Sequence, residues 1–379
     1  MRDYRQEFEE FAPTVYLDCA YEGPFPRVTV ARIHQAIELK SRPDRLHSPE
    51  YFDLPGRVRN RLAKLIGADP SEIALTSSAT QGLGVVATGL KLGPGDEVVV
   101  ANRNFPSNLF TWLHLRRLGV RVHMVNPANN AVRVADVLPV LTPRTRLLAL
   151  DWVSYRDGGR IDLAALGDVV HRHGGLFVVD GTQGVGALEL NIRDVPVDAL
   201  AVAAYKWLLG PYGTGFVYLK SSIQDRLDCP VVNWMSVEGS EDFDSLPTGE
   251  FTLVRGARVF DVGETSNFLN LHALEASLEF VEGVGVRTVM DHCWRLLDRL
   301  RNGLCRCGYK VSDAAARPEN RSTILGFRAE ALEATATLHK KLRAEQVAVS
   351  LRHGLIRVSP YLYNNEEDID KLLSVVSRQ

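Results

Sequence analysis

Between about residues 70 and 220, short β-branched runs alternate with amphipathic stretches, and this alternation constrains the fold more than any other feature of the chain. "EIALT" leads into the Gly-containing "SSATQGLGVVATGL", "DEVVVA" into "SNLFTWLHLRRLG", and "RVHMV" into "VADVLPVL". "TRLLALDWV", the helical "DLAALGDVVHRHG" and "LFVVD" continue the series. The strand runs are apolar without polar alternation, so both of their faces are buried. Helices between them make the sheet mostly parallel. Right-handed crossovers then bring the strand C-termini, and any ligand site, to one edge of that sheet.

The texture changes after residue 220. A polar stretch over 236–258 reads as a long loop, and its length and composition suggest a lid over a site. "LHALEASLEFVEGVG" is a helix, strands are expected near "STILGFR" and "LIRVSP", and a helix begins at Glu366. The 379 residues suffice for two cores. The expected architecture is α/β: a large domain over 16–274, with a mostly parallel sheet, and a smaller α+β domain formed by 1–15 and 275–379.

Hydrophobic residues make up 45% of the chain, charged residues 24%, and the net charge is −2. That composition is globular, and its interspersed charges give no footprint for nucleic acid or for an anionic membrane surface. The charged start "MRDYRQEFEEF" lacks the apolar centre of a signal peptide. No apolar run approaches the roughly 20 residues that span a bilayer, so a soluble cytoplasmic protein is expected. The five cysteines, Cys19, Cys229, Cys293, Cys305 and Cys307, are scattered, and the C-x-C of the last two is too tight for the usual zinc or redox spacing. No metal site is expected.

Lys206 lies in "DALAVAAYKWLLGPYGTGFVYL", directly after an apolar strand. Among Ala, Tyr and Trp its ammonium is poorly solvated, which lowers its pKa and suits it to Schiff-base formation; a snorkelling lysine at a strand end is the plain alternative. Asp180 closes "GLFVVD", where a carboxylate after four apolar residues is costly without a cationic partner. A pyridinium nitrogen is such a partner; an N-capping role is the alternative. Gln183, in "DGTQGVGA", is placed to donate to a phenolic oxygen on the same ring. Ser78-Ala79-Thr80-Gln81 fits a capping box, and the N–H groups of that helix start, with the Thr80 hydroxyl, suit a phosphate. "GLGVVA" matches a dinucleotide fingerprint, but its glycines fall inside the helical stretch and no acid stands at the expected distance.

Together "SSATQGL", "NFPSNLFTW", "DGTQGVGA" and "YKWLLGPYGTGFVYL" resemble the class V aminotransferase family, in order and over nearly the whole chain. That family contains cysteine desulfurases, selenocysteine lyases, isopenicillin N epimerase-like proteins and related carbon–sulfur lyases. The resemblance implies a fold-type I enzyme dependent on pyridoxal 5′-phosphate, and a homodimer whose active site is shared between subunits. It makes Lys206 the Schiff-base lysine, Asp180 the partner of the pyridine nitrogen and Gln183 the contact to the phenolic oxygen. Ala79 and Thr80 cradle the phosphate, Tyr205 stands where many members have a phosphate-contacting histidine, and Thr265 serves the partner subunit's phosphate. Phe105 stacks on the ring where desulfurases have histidine. Arg357 grips the α-carboxylate of an amino-acid substrate, and Arg352 is a second arginine on that side.

Two departures bear on the reaction. Desulfurases carry a nucleophilic cysteine on a loop between those two arginines, whereas "RHGLIR" joins them here almost without a loop. Cys19 falls on a segment that approaches the site, but on a different element. Phe105 has no proton to give, so proton chemistry falls to Lys206, with Tyr155, where desulfurases have an asparagine, a candidate acid or a packing residue. The expected activity is β-elimination of the carbon–sulfur lyase kind or epimerisation, with transamination as runner-up. Persulfide-forming desulfuration, a nicotinamide-dependent oxidoreductase and a non-catalytic scaffold rank below these.

Overall fold

The computed structural model describes residues 2–127, 131–312 and 318–378. A two-residue strand β1 (Val15–Tyr16) precedes helices α1 (Arg27–Ser41) and α2 (Glu50–Ile66). Seven strands follow: β2 (Ile73–Thr76), β3 (Glu97–Ala101), β4 (Arg121–Val125), β5 (Thr145–Asp151), β6 (Leu176–Asp180), β7 (Ala199–Ala203) and β8 (Gly215–Leu219). Helix α3 (Ala79–Gly89) follows β2 and α4 (Ser107–Leu113) follows β3. The strands form one sheet in the order β2-β8-β7-β6-β5-β3-β4, parallel except that β8 runs antiparallel to both of its neighbours.

The continuous apolar runs have the expected cause. Val98, Val100, Leu147, Ala149 and Val178 face one core with α3 and Trp112, while Val99, Leu148, Leu150, Phe177 and Val179 face a second core with α2. Successive side chains therefore alternate between two buried layers, and no strand position needs to be polar. The expected helix at "VADVLPVL" is a single turn, Val134–Val137, continued by a 3₁₀ turn at Leu138–Val140, where Pro139 removes the N–H needed to extend it.

The C-terminal part holds short strands: β9 (Lys310–Val311), β10 (Leu325–Arg328), β11 (Val347–Ala348), β12 (Ser350–Arg352) and β13 (Leu355–Val358). Four of them form an antiparallel sheet, β12-β13-β10-β9, over a third core that includes Leu300, Phe327 and Ile356; β11 pairs in parallel with β1. The chain passes from β12 to β13 through His353 and Gly354 alone. Residues 236–258 pack through Phe243 onto Tyr51, Phe52 and Trp234. Among the described residues no helix is long and apolar enough to cross a membrane.

Candidate active site

The C-terminal ends of β5, β6 and β7 open onto a cavity of about 160 Å³. Asp151 and Asp180 close adjacent parallel strands and are register partners, so two carboxylates stand side by side at its floor. Lys206 lies three residues past β7, in the turn that reverses the chain into β8. The turn is tied by Leu209 N to Lys206 O and by Gly210 N to Ala204 O. It is pressed from outside by Gly23, where a Cβ would lie 2.0 Å from the Lys206 carbonyl oxygen.

Burial lowers the Lys206 ammonium to about 8; the nearby Arg357 charge adds to the shift, while Asp180, Asp151 and Glu22 oppose it. Its Nζ lies 5.3 Å from the centre of the Phe105 ring and 5.4 Å from that of Tyr205. Asp180 is 5% exposed, and burial raises its carboxyl although Oδ1 accepts the Thr182 N–H at 2.9 Å. The Asp151 carboxyl is raised as well, by burial and then by the Asp180 charge. It accepts from Phe105 N at 2.6 Å and from Asn108 Nδ2 at 2.9 Å, which fixes the Phe105 ring over the cavity.

Helix α3 points its first turn into the same space, with Ser77, Ser78, Ala79 and Thr80 in the wall. Ser78 Oγ accepts the Gln81 N–H at 3.2 Å, as a capping box requires. The reciprocal bond departs from the expected pattern, because Gln81 Oε1 takes the N–H and hydroxyl of Ser77 instead of the Ser78 N–H. The unpaired first-turn N–H groups and the positive end of the helix make this an anion site. Thr80 Oγ1 donates to Ser107 Oγ at 2.8 Å. Of the glycines in "GLGVVA", Gly82 packs against the sheet, where a Cβ would lie 3.0 Å from the Ala201 side chain, whereas Gly84 faces open space.

Eight residues singled out in the sequence line this cavity: Ala79, Thr80, Phe105, Tyr155, Asp180, Gln183, Tyr205 and Lys206. Gln183 gives one amide N–H to Ala20 O and accepts from Trp207 Nε1, each at 2.9 Å, leaving its second N–H for the cavity. Thr265, Arg352 and Arg357 do not line it. Thr265 is 3% exposed and donates to Val262 O. The Arg352 guanidinium lies 6.0 Å from the exposed Tyr21 ring. Arg357 is 2% exposed and donates to Asp18 Oδ1 at 2.9 Å and to Tyr155 O at 2.8 Å, while its buried Nε has no partner among the described residues. Cys19 is buried beneath the Lys206 carbonyl, and burial followed by Cys293 raises its thiol well above the ordinary value. No residue of 236–258 is among those lining the cavity.

Sequence reasoning missed Asp151 and His353. Asp151 carried the same signal as Asp180, an acid closing an apolar run. His353 carried none: its Nε2 lies 2.8 Å from the Tyr155 hydroxyl, across 198 residues of chain.

The lining suits a cationic, phosphorylated aromatic aldehyde. Two carboxylates stand against one amine, a balance that a protonated ring nitrogen would correct. The amine is depressed into the range where it attacks carbonyls, an aromatic face lies over it, and a helix N-terminus with hydroxyls waits for the phosphate.

The Aminotransferase class-V family model matches residues 48–372. The isopenicillin N epimerase of Streptomyces clavuligerus is 27% identical, covering 95% of this chain and 94% of its own. A probable cysteine desulfurase of Methanothermobacter thermautotrophicus is 26% identical, covering 98% and 96%. Among solved structures, the cystine C–S lyase C-DES with its product cysteine persulfide superposes with a TM-score of 0.86 at 24% identity, covering 97% of this chain and 98% of that one.

Proposed function

The chain belongs to the class-V aminotransferase family and is a pyridoxal 5′-phosphate enzyme, and from that premise we propose that it catalyses β-elimination on an S-substituted amino acid. When bound, the cofactor supplies an electrophilic aldehyde carbon and a protonated ring that accepts the electron pair of the α-carbon. Lys206 is the residue that holds it covalently and, once displaced by substrate, takes the α-proton on Nζ. Asp180 keeps the ring nitrogen protonated, and Gln183 gives its free amide N–H to the phenolic oxygen. Ala79, Thr80 and the first turn of α3 hold the phosphate with Tyr205, and Phe105 covers the ring. Arg357, whose buried Nε has no partner among the described residues, orients the substrate carboxylate when its guanidinium turns from Asp18 towards the cavity, with Arg352 on the same side. Thr265 reaches the phosphate of a second subunit in a homodimer. Tyr212, 74% exposed beside the cavity, belongs to the surface that subunit covers.

One observation carries elimination over desulfuration: no thiol stands among the described residues that line the cavity, and the β12–β13 connection is a two-residue turn with no room for a cysteine loop. Sulfur leaving the substrate therefore departs as a small molecule. Incubation of the loaded enzyme with S-ethyl-L-cysteine, L-cystine and L-cysteine tests this directly. Elimination yields pyruvate and ammonia from the first two. Alanine from L-cysteine, with sulfur retained on the protein, would show desulfuration instead, and inversion without loss of the β-substituent would show epimerisation.

A further inference from the structure

Tyr155 and His353 stand between the cavity and a groove where the small sheet meets Arg103, Arg156 and Asp157. Tyr155 lines the first and His353 the second, with 2.8 Å between Oη and Nε2. We infer that Tyr155 is the general acid that protonates the departing β-substituent, and that His353 resupplies its proton from the groove. This rests on the elimination reading above.

The backbone at His353 speaks for a purpose beyond packing. His353 has φ +48 and Gly354 φ +78, so both central residues of the hairpin turn are left-handed. Asn-Gly is the usual pair at such a turn, and a histidine there is strained. In this conformation the imidazole reaches the Tyr155 hydroxyl. Burial lowers the His353 pKa, and the Arg156, Arg103 and Arg352 charges lower it further, so the ring is neutral at pH 7. Lys310 and Arg328 line the groove beyond it, with Asp157 the one carboxylate among the described residues of that wall. The Arg156 guanidinium lies 5.6 Å from the centre of the Tyr155 ring.

Other cavity groups are less suited. Phe105 has no proton to offer. The Tyr205 hydroxyl is pushed up to about 12, chiefly by burial, and no imidazole stands behind it among its described contacts.

The step balances without an added reagent. The α C–H bond breaks with its proton on Lys206 Nζ, and its electron pair becomes the Cα–Cβ double bond. The Cβ–S bond breaks with its pair on sulfur, which takes the Tyr155 hydroxyl proton. His353 then passes its Nε2 proton to the tyrosinate oxygen and gains one at Nδ1 from groove water, remaining neutral. The products are a free thiol and an enamine that hydrolyses to pyruvate and ammonia.

Two substrates that differ in their need for an acid test the assignment. Ethanethiolate is a poor leaving group and needs the proton; 4-nitrobenzenethiolate does not. With loaded Tyr155→Phe, pyruvate formation from S-ethyl-L-cysteine should fall by about 100-fold, and the loss with S-(4-nitrophenyl)-L-cysteine should be at least ten times smaller. His353→Asn, which tolerates the left-handed backbone but is too short to reach Tyr155, should show the same asymmetry. In cofactor-free protein, Tyr155→Phe should shift the His353 imidazole nitrogen resonances, an independent readout of the contact. Equal losses on both substrates, with pyruvate still formed by the wild type, would overturn the assignment and leave elimination standing. A wild type that releases no pyruvate from either substrate would overturn elimination, and this assignment with it.

Discussion

At the N-terminal end of β3, Glu97 is 1% exposed and fully engaged. Arg121 and Arg144 reach Oε1 at 3.0 Å each, and the Thr142 hydroxyl donates to Oε2 at 2.7 Å. Asp198, just before β7, likewise accepts from Phe177 N and contacts His171 Nε2, both at 2.7 Å. At the opposite end of the same sheet, Asp151 and Asp180 share one lysine across a cavity. The consequence is visible in their acidity: Glu97 is held below the ordinary carboxylate range, first by Thr142, whereas burial raises both aspartates. Buried acids at one end satisfy their own charge and stabilise the fold. Those at the other end accept N–H groups but have no guanidinium against them, and the fold bears the cost of holding two desolvated carboxyls beside an open cavity.

The largest test of this contrast is Lys206→Ala. Covalent cofactor attachment and turnover should both be lost while the fold remains, read by the visible band, borohydride reduction and peptide mapping. Full activity in that variant would end the proposed role of Lys206. Next comes Asp180→Asn, which should lower turnover by roughly 10²–10³ through loss of charge stabilisation at the ring. Its thermal stability without cofactor should hold or rise, because a desolvated carboxylate is replaced by a neutral amide that still accepts from Thr182.

Glu97→Gln should do the reverse. Unfolding free energy should drop by about 1–3 kcal/mol with cofactor affinity unchanged. Because the folded Glu97 is the stronger acid, its contribution is present above the unfolded carboxylate pKa and fades as pH falls through the folded one. The deficit of the variant should therefore shrink on acidification. If both variants lost stability equally, the two ends would not differ in the way described.

The last test concerns pH. Reductive trapping of an aldehyde on Lys206 should rise about tenfold per pH unit and level off above about 8, not near 10.5. The shift corresponds to about 3 kcal/mol between protonation states. The unfolded lysine holds its proton longer, so stability should increase with pH across that window.

Much of this was legible in the chain. The strands between residues 70 and 220 announced themselves because burial on two faces leaves no polar position, and Lys206 and Asp180 stood out as charges in apolar runs. The direction of β8 did not, since periodicity is the same for a parallel and an antiparallel strand. Arg357 was read from its motif, but its engagement with Asp18 depends on a residue near the other end of the chain. Asp151 was within reach of the same argument as Asp180 and went unread beside its more familiar neighbour.

Local pattern alone thus determined a mostly parallel α/β sheet, pointed to the edge where ligands are expected, and marked a lysine and an acid there as candidates, while the family resemblance supplied the pyridinium aldehyde. Hydropathy and charge act over a few residues, so sequence order carries them. Only the tertiary structure decided that two carboxylates share that site, that Cys19 is buried away from it, and that His353 meets Tyr155. Those depend on distances between segments far apart in the chain, and such distances are set by packing.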